Sequence, residues 1–135
     1  MTTITKLSTA GVDGLSAQKC DTISQLFAGE ALKKADACFI ASDGLVYMSN
    51  YTAHQYSSIT ASGVSNFDGF TNKAVAVGEP VTLFGNGAQF GYGSSLTPGI
   101  LCYVTTSDGL IADAKGGIDL PVAKVISATD IRVIR

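Results

Sequence analysis

The chain has 135 residues, the size of one ordinary domain, and this length supports a hydrophobic core without metal or disulfide cross-links. Hydrophobic residues make up 46% of it and charged residues only 15%, which excludes a highly charged disordered tail and a coiled coil rich in Glu and Lys. The net charge of −2 gives no broad electrostatic reason to bind nucleic acid or an anionic membrane. We also expect no secretory signal and no membrane span, because no apolar segment of the required length occurs.

The first part of the chain, residues 1–28, differs in pattern from the rest. Residues 1–10 are rich in Thr and Ser and have little apolar mass, which indicates an extended arm that no local core holds. Residues 15–27 carry sparse apolar groups, and Asp21 is placed to cap a short helical turn that ends at Gly29. We therefore expect an arm followed by a short helical or irregular segment, with at most one short helix.

Strand and turn signals dominate residues 29–135. Asp43-Gly44 lies between β-prone runs at 38–41 and 45–48, and this pattern predicts a β-hairpin with a primed turn, in which Asp and Gly both tolerate positive φ. The run 74–77 is predicted to be a further strand. Turn signals recur at the spacing typical of an all-β barrel or sandwich.

Two further turns are predicted downstream. The strand at 81–84 ends at Gly85-Asn86-Gly87, which indicates another turn with positive φ. Ser107-Asp108-Gly109 lies between the runs 100–105 and 110–112, which predicts a second hairpin.

The sequence contains a faint internal repeat around the Asp-Gly turns at 43–44 and 108–109. Residues 37–46 resemble residues 101–111, with one additional Thr in the second copy. The last β-prone stretch, 122–134, is predicted to be an edge or closing strand, and a free edge is a hazard unless it is paired, closed or covered by another chain. Together with the low charge, this favours a component of a protein assembly.

The cysteines are odd in number and widely spaced. Cys20, Cys38 and Cys102 form no CxxC motif, and Cys38 and Cys102 lie within apolar strand-like runs. We expect buried, reduced thiols in a protein made in a reducing cytoplasm.

The sequence offers no convincing catalytic set. His54 is the only histidine, and no G-x-S-x-G motif accompanies it, so surface hydrogen bonding or a subunit contact explains it better than catalysis. Asp43, Asp68 and Asp108 each precede Gly and are predicted to form turns rather than to bind metal. We therefore expect a protein that is not an enzyme, with no catalytic, cofactor-binding or metal-binding residues.

Four aromatic residues leave two interpretations open. Tyr51, Tyr56, Phe90 and Tyr92 would suit a platform for a sugar or a protein contact, or they pack at a barrel rim or between subunits. The glycines at 85–87 and 91–93 do not form a phosphate-binding loop, because strand-like or Pro-containing sequence follows them where a helix is required.

An ordered series of motifs across residues 29–135 resembles the head decoration, or capsid cement, proteins of tailed bacteriophages. The motifs are Gly29-Glu30-Ala31-Leu32 with Asp36 before an apolar strand, Ser42-Asp43-Gly44-Leu45-Val46-Tyr47, Phe67-Asp68-Gly69-Phe70, Ala76-Val77-Gly78-Glu79-Pro80-Val81-Thr82-Leu83-Phe84, Leu96-Thr97-Pro98-Gly99, and Pro121-Val122-Ala123-Lys124-Val125-Ile126-Ser127-Ala128-Thr129.

The resemblance implies a small β-barrel or β-tulip-like domain at 29–135, preceded by the arm-bearing segment 1–28. It implies a structural virion protein that binds the major capsid protein on the outer surface of the capsid, as a homotrimer at three-fold or quasi-three-fold positions. Such a protein is synthesised in the host cytoplasm, needs no cofactor, and binds neither nucleic acid nor membrane. We expect the arm, 1–10, to add a strand to an edge of the capsid protein. The alternative is a phage fibre or spike module that binds a host-surface glycan through 51–70 and 90–92.

Overall fold

The computed structural model describes residues 3–11, 20–50, 67–105, 107–114 and 121–135. These residues form ten β-strands, and no part of the described chain is helical. In chain order the strands are β1 (Thr22–Phe27), β2 (Ala37–Ile40), β3 (Val46–Met48), β4 (Gly69–Thr71), β5 (Pro80–Phe84), β6 (Gln89–Gly91), β7 (Leu101–Val104), β8 (Ile111–Ala112), β9 (Ala123–Val125) and β10 (Asp130–Val133). Within the described ranges, no helix is long and apolar enough to cross a membrane.

The strands form two antiparallel five-stranded sheets. The strand order is β1-β5-β4-β2-β3 in the first sheet and β6-β10-β9-β7-β8 in the second. The prediction of a small, mainly β domain is therefore confirmed. Each strand of the second sheet occupies the position held by the strand five places earlier in the first, so the chain repeats one topology twice.

Both Asp-Gly hairpins are confirmed, as β2–β3 and β7–β8. The first turn differs in type from the prediction. The Gly44 amide donates to the Ala41 carbonyl at 2.9 Å, and of the loop residues only Gly44 has positive φ, at 85°. This is a three-residue loop in which glycine forms a bulge after a type I turn, whereas a primed turn requires positive φ at Asp43 as well.

The helix predicted within 15–27 is wrong over its described part, because Thr22–Phe27 is strand β1. This strand pairs with β5 from Thr22 opposite Phe84 to Phe27 opposite Pro80. Gln25 has a φ of 64° at a bulge in this pairing, and a helix does not accommodate that conformation. The remainder of the predicted helix, 15–19, lies outside the described residues.

The prediction that no local core holds the N-terminal arm is also wrong for residues 3–10. Ile4 is only 8% exposed and Ala10 only 3%, and both belong to a hydrophobic cluster with the second sheet. Thr3 forms an isolated β-bridge with Ala112 of β8. A few apolar side chains and a sheet edge are sufficient to order the segment despite its polar composition.

The strand predicted at 74–77 is reduced to one bridge, between Val75 and Leu32. The chain turns immediately afterwards, where the Glu79 amide donates to the Ala76 carbonyl at 3.1 Å and Gly78 has a φ of 84°.

The edge or closing strand predicted at 122–134 is instead the hairpin β9–β10. Both strands lie inside the second sheet, with β7 and β6 on either side. This stretch is therefore not a free edge, and the prediction of an edge here is wrong.

The buried side chains form two hydrophobic clusters, and the larger one joins the two sheets. The smaller lies against the first sheet and includes Leu32, Cys38, Val46 and Leu83. The first sheet also curls, since Ala28, directly after β1, bridges Val46 on the opposite edge strand. The larger cluster contains the buried side chains of the second sheet together with buried residues of the first, namely Ala35, Ala37, Phe67 and Phe70.

Candidate interaction surface

The cysteines are all free, and the prediction of buried thiols holds for two of them. Cys38 and Cys102 are fully buried, whereas Cys20 is half-buried. Burial raises the pKa of the Cys102 thiol to about 12, and burial together with the nearby Asp36 carboxylate raises the pKa of Cys38 well above its usual value. Thiols in this state are poor nucleophiles and poor metal ligands.

The three aspartates that were predicted to form turns, Asp43, Asp68 and Asp108, have different roles. Asp43 forms its own turn as predicted, since its carboxylate accepts from the Leu45 amide at 2.9 Å. Asp68 instead accepts from the Ile40 amide at 2.7 Å, and Asp108 accepts from the Asn50 side-chain amide at 2.7 Å. These two carboxylates therefore connect distant segments.

Burial raises the pKa of Asp68, against the opposing effects of the Ile40 hydrogen bond and Arg135. Across the described ranges, no three or more His, Cys, Asp or Glu residues are grouped so as to hold a metal ion.

The aromatic residues considered for sugar binding lie in two places. Phe90 and Tyr92 are buried, 5% and 0% exposed, and pack edge-on against Phe70 in the larger cluster. Interpreting these two rings as a sugar platform is therefore wrong. Tyr51 and Tyr56 lie outside the described residues, as does His54.

The most distinctive surface of the described chain is the solvent-exposed side of the second sheet, which we call the outer face. Along β9 and β10, buried residues alternate with exposed ones, so Lys124 and Arg132 point away from the core. Leu101, at the start of β7, points the same way. We include with them Ile126 and Ile134, the exposed residues that directly follow β9 and β10, so the outer face comprises five exposed residues: Leu101, Lys124, Ile126, Arg132 and Ile134.

The register of the second sheet places part of the outer face in one row. Leu101 lies opposite Lys124, Lys124 opposite Arg132, and Arg132 opposite Gln89. Two like charges directly opposite each other on neighbouring strands are destabilising. Neither cation forms an ion pair with a described residue. An acidic partner surface would relieve this repulsion.

Three aliphatic side chains accompany the two cations on the outer face. Leu101 and Ile134 are each 37% exposed, and Ile126 is 38% exposed. Apolar side chains next to arginine are typical of protein interfaces, whose central residues are apolar and in which Arg is enriched. The outer face therefore combines exposed apolar side chains with positive charge, as protein interfaces often do.

The sequence held a signal for this surface that the predictions did not use. Lys124 lies between Ala123 and Val125, and Arg132 lies between Ile131 and Val133, which is the alternation of half-buried strands. The pairing of the two strands, which brings the cations together, requires the structure.

A second exposed apolar site occurs beside the first sheet. Phe27 is 49% exposed and Val77 is 66% exposed. The Gly78 amide donates to the Ala28 carbonyl at 2.8 Å, so the two segments that carry these side chains are adjacent. This site lacks the paired cations of the outer face.

Comparison with family models, with curated proteins and with solved structures finds no match to the chain.

Proposed function

We propose that the chain is a structural virion protein of a tailed phage. It binds the outer surface of the capsid, stabilises the shell of major capsid protein, and acts as a homotrimer at three-fold or quasi-three-fold positions. The order of motifs across residues 29–135, which resembles the decoration proteins, supports this proposal. Many copies that each bury a modest interface stabilise a shell through mass action and avidity, without chemistry.

The outer face is the observation that carries the proposal. Its exposed Leu101, Ile126 and Ile134 offer apolar contacts, and Lys124 and Arg132 add two cations that face each other. We assign this surface to the major capsid protein and expect acidic side chains on the capsid side. Since the arm packs on its own domain, the outer face replaces the arm as the proposed capsid contact.

The test is binding of the purified chain to empty heads assembled from the major capsid protein of the same phage. Mass photometry of heads with and without the chain measures the added mass. We expect saturable binding to expanded heads and none to unexpanded heads. The same measurement on the isolated chain reports whether the trimer forms before binding.

Charge reversal on the outer face tests whether this surface, rather than the net charge of the whole chain, determines binding to the heads. Lys124→Glu is expected to weaken binding to expanded heads by about tenfold or more, since it would face the acidic capsid side chains, and like charges placed together at an interface cost several kcal/mol. Lys73→Glu changes the net charge equally at an exposed position on the first sheet, and we expect it to bind like the wild type. Equal losses for both variants would exclude the outer face as the contact, and no binding of the wild type to expanded heads would overturn the proposed function.

A further inference from the structure

The two sheets correspond residue by residue as well as strand by strand. Leu32 precedes Cys38 at the same spacing as Leu96 precedes Cys102, and the two cysteines lie in the corresponding strands β2 and β7. Three residues before each of these two cysteines the backbone adopts positive φ, at 58° in Ala35, which precedes β2, and at 93° in Gly99, which precedes β7.

Backbone hydrogen bonds repeat at these corresponding positions. The Ala35 amide donates to the Thr71 carbonyl at 3.1 Å, and the Gly99 amide donates to the Val125 carbonyl at 2.7 Å. Likewise, the carbonyls of the two cysteines accept from Asp68 and Val122, each at 2.8 Å. The described strands therefore form two copies of one five-stranded unit, the first made of β1–β5 and the second of β6–β10.

The units differ in how their edges meet. In the first unit, Ala28 forms a bridge with Val46, and the Gly29 amide donates to the Val46 carbonyl at 2.8 Å. The corresponding residues of the second unit are Tyr92 and Ile111. Here the N-terminal arm lies between the two edges.

The arm bonds to both edges of the second unit. The Ile4 amide donates to the Ile111 carbonyl at 3.0 Å, and the Leu7 amide donates to the Tyr92 carbonyl at 2.8 Å. The segment thus occupies the place where the first unit closes on itself.

Side chains of the arm make further specific contacts in addition to these backbone hydrogen bonds. Ile4 is buried in the larger cluster. The Lys6 ammonium donates to the Asp36 carboxylate at 2.9 Å and to the carbonyls of Lys34 and Ala35 at 2.8 and 3.2 Å. Asp36 is 2% exposed and belongs to the first unit, so the arm also fastens the two units together.

We propose that the gap between β6 and β8 is a strand-acceptor groove, and that its ligand is the chain's own segment at 3–7. The groove recognises an extended peptide with an aliphatic side chain followed two positions later by a lysine. Binding of an added strand through main-chain hydrogen bonds, with side-chain pockets for specificity, is an established mode of peptide recognition. This inference does not depend on the proposed function.

Complementation by a peptide tests the groove. A chain that lacks residues 1–11 is mixed with a synthetic peptide of residues 1–11, and binding is measured by calorimetry together with the change in Tm. We expect the truncated chain to be less stable than the full chain, to bind the peptide and to regain stability. A peptide with Lys6→Met is expected to bind about tenfold more weakly, because it loses hydrogen bonds from a charged group. A truncated chain that is as stable as the full chain and binds no peptide would overturn the proposal.

A measurement on the full chain covers the case in which the truncated chain does not fold. Hydrogen exchange of the Ile4 and Leu7 amides should be slow in the wild type and about tenfold faster in Lys6→Met. The Gly29 amide, which closes the first unit, is the internal control and should be unchanged. Lys73→Met, at an exposed lysine outside both the outer face and the groove, is the matched variant and should affect neither arm amide. Fast exchange of both arm amides in the wild type would show that the groove does not hold the segment.

Discussion

Phe70 of the first unit lies edge-on against Phe90 of the second, with ring centroids 5.2 Å apart and an interplanar angle of 70°. Phe70 is fully buried and also approaches Tyr92, at a centroid distance of 6.2 Å. The corresponding residue of the second unit is Lys124, which is exposed on the outer face. The side that the first unit buries against its neighbour is therefore the side that the second unit presents to solvent.

Truncating Phe70 should strongly destabilise the chain. Phe70→Ala removes a buried aromatic ring at the junction of the two units, and we expect the free energy of unfolding to fall by about 3–5 kcal/mol in urea denaturation. Phe27→Ala is the matched control, because Phe27 is 49% exposed, and it should cost less than about 1 kcal/mol. Similar losses in the two variants would show that Phe70 does not join the units.

The hairpin glycines, Gly44 and Gly109, should respond differently to the same substitution. Gly44 has positive φ and open space around its Cα, so Gly44→Ala should cost only the backbone strain, about 1 kcal/mol. At Gly109, which also has positive φ, a Cβ would lie 2.8 Å from Oδ1 of Asp36.

We expect Gly109→Ala to cost about 1–2 kcal/mol more than Gly44→Ala, because the new methyl group displaces the buried carboxylate that holds Lys6. Thermal and urea unfolding of the two variants provide the comparison. Equal losses of unfolding free energy in the two variants would indicate that a methyl group at position 109 does not displace Asp36.

The features that could be predicted from the sequence are local. Asp43-Gly44 and Asp108-Gly109 specify hairpins through a few adjacent residues, and both hairpins form. β1 and the arm could not be predicted in this way, because their partners, β5 and the edges of the second sheet, are distant in the chain. Pairing with distant strands overrides weak local preference.

The outer face could be predicted from the sequence only in part. Alternation around Lys124 and Arg132 is visible in the sequence, but their position opposite each other depends on the register between β9 and β10. Likewise, the short repeat around Cys38 and Cys102 was visible, whereas the duplication of whole five-stranded units becomes apparent only from the strand order.

Buried thiols should make the chain less stable at alkaline pH. The pKa of Cys102 is raised from 9.0 to about 12, mainly through burial, so the folded chain retains this proton at pH values where the unfolded chain releases it. Below about pH 9 the thiol is protonated in both states, so it has no effect on how stability varies with pH. As the pH rises from 9 towards 12, the unfolded chain is increasingly favoured, and the free energy of unfolding falls by about 2–4 kcal/mol in total.

Urea denaturation at intervals from pH 8 to pH 11 measures this loss. Cys102→Ala removes the titrating group, so its stability should fall less steeply over this window, whatever its stability at pH 8. Parallel curves for the variant and the wild type would show that Cys102 does not contribute to the alkaline loss.

Replacing Tyr92 with phenylalanine should stabilise the protein. The backbone of Ile111 lies beside the Tyr92 hydroxyl, but no described residue satisfies this buried group with a hydrogen bond of ordinary geometry. Burial also raises the pKa of Tyr92, so the phenol remains neutral. Because a buried hydroxyl without a partner costs free energy, we expect Tyr92→Phe to raise the free energy of unfolding by about 1 kcal/mol.

Tyr47 provides the matched control for this substitution, since its hydroxyl donates to the Asp43 carboxylate at 2.8 Å on the surface. Tyr47→Phe removes a satisfied bond, so it should leave stability unchanged or lower it by about 0.5 kcal/mol. Urea denaturation of both variants at pH 7 shows whether each substitution raises or lowers the free energy of unfolding. A loss of stability in Tyr92→Phe would mean that the hydroxyl bonds to a group beyond the described residues or to a buried water molecule, and the acceptor groove would then contain a polar contact in addition to those of the arm.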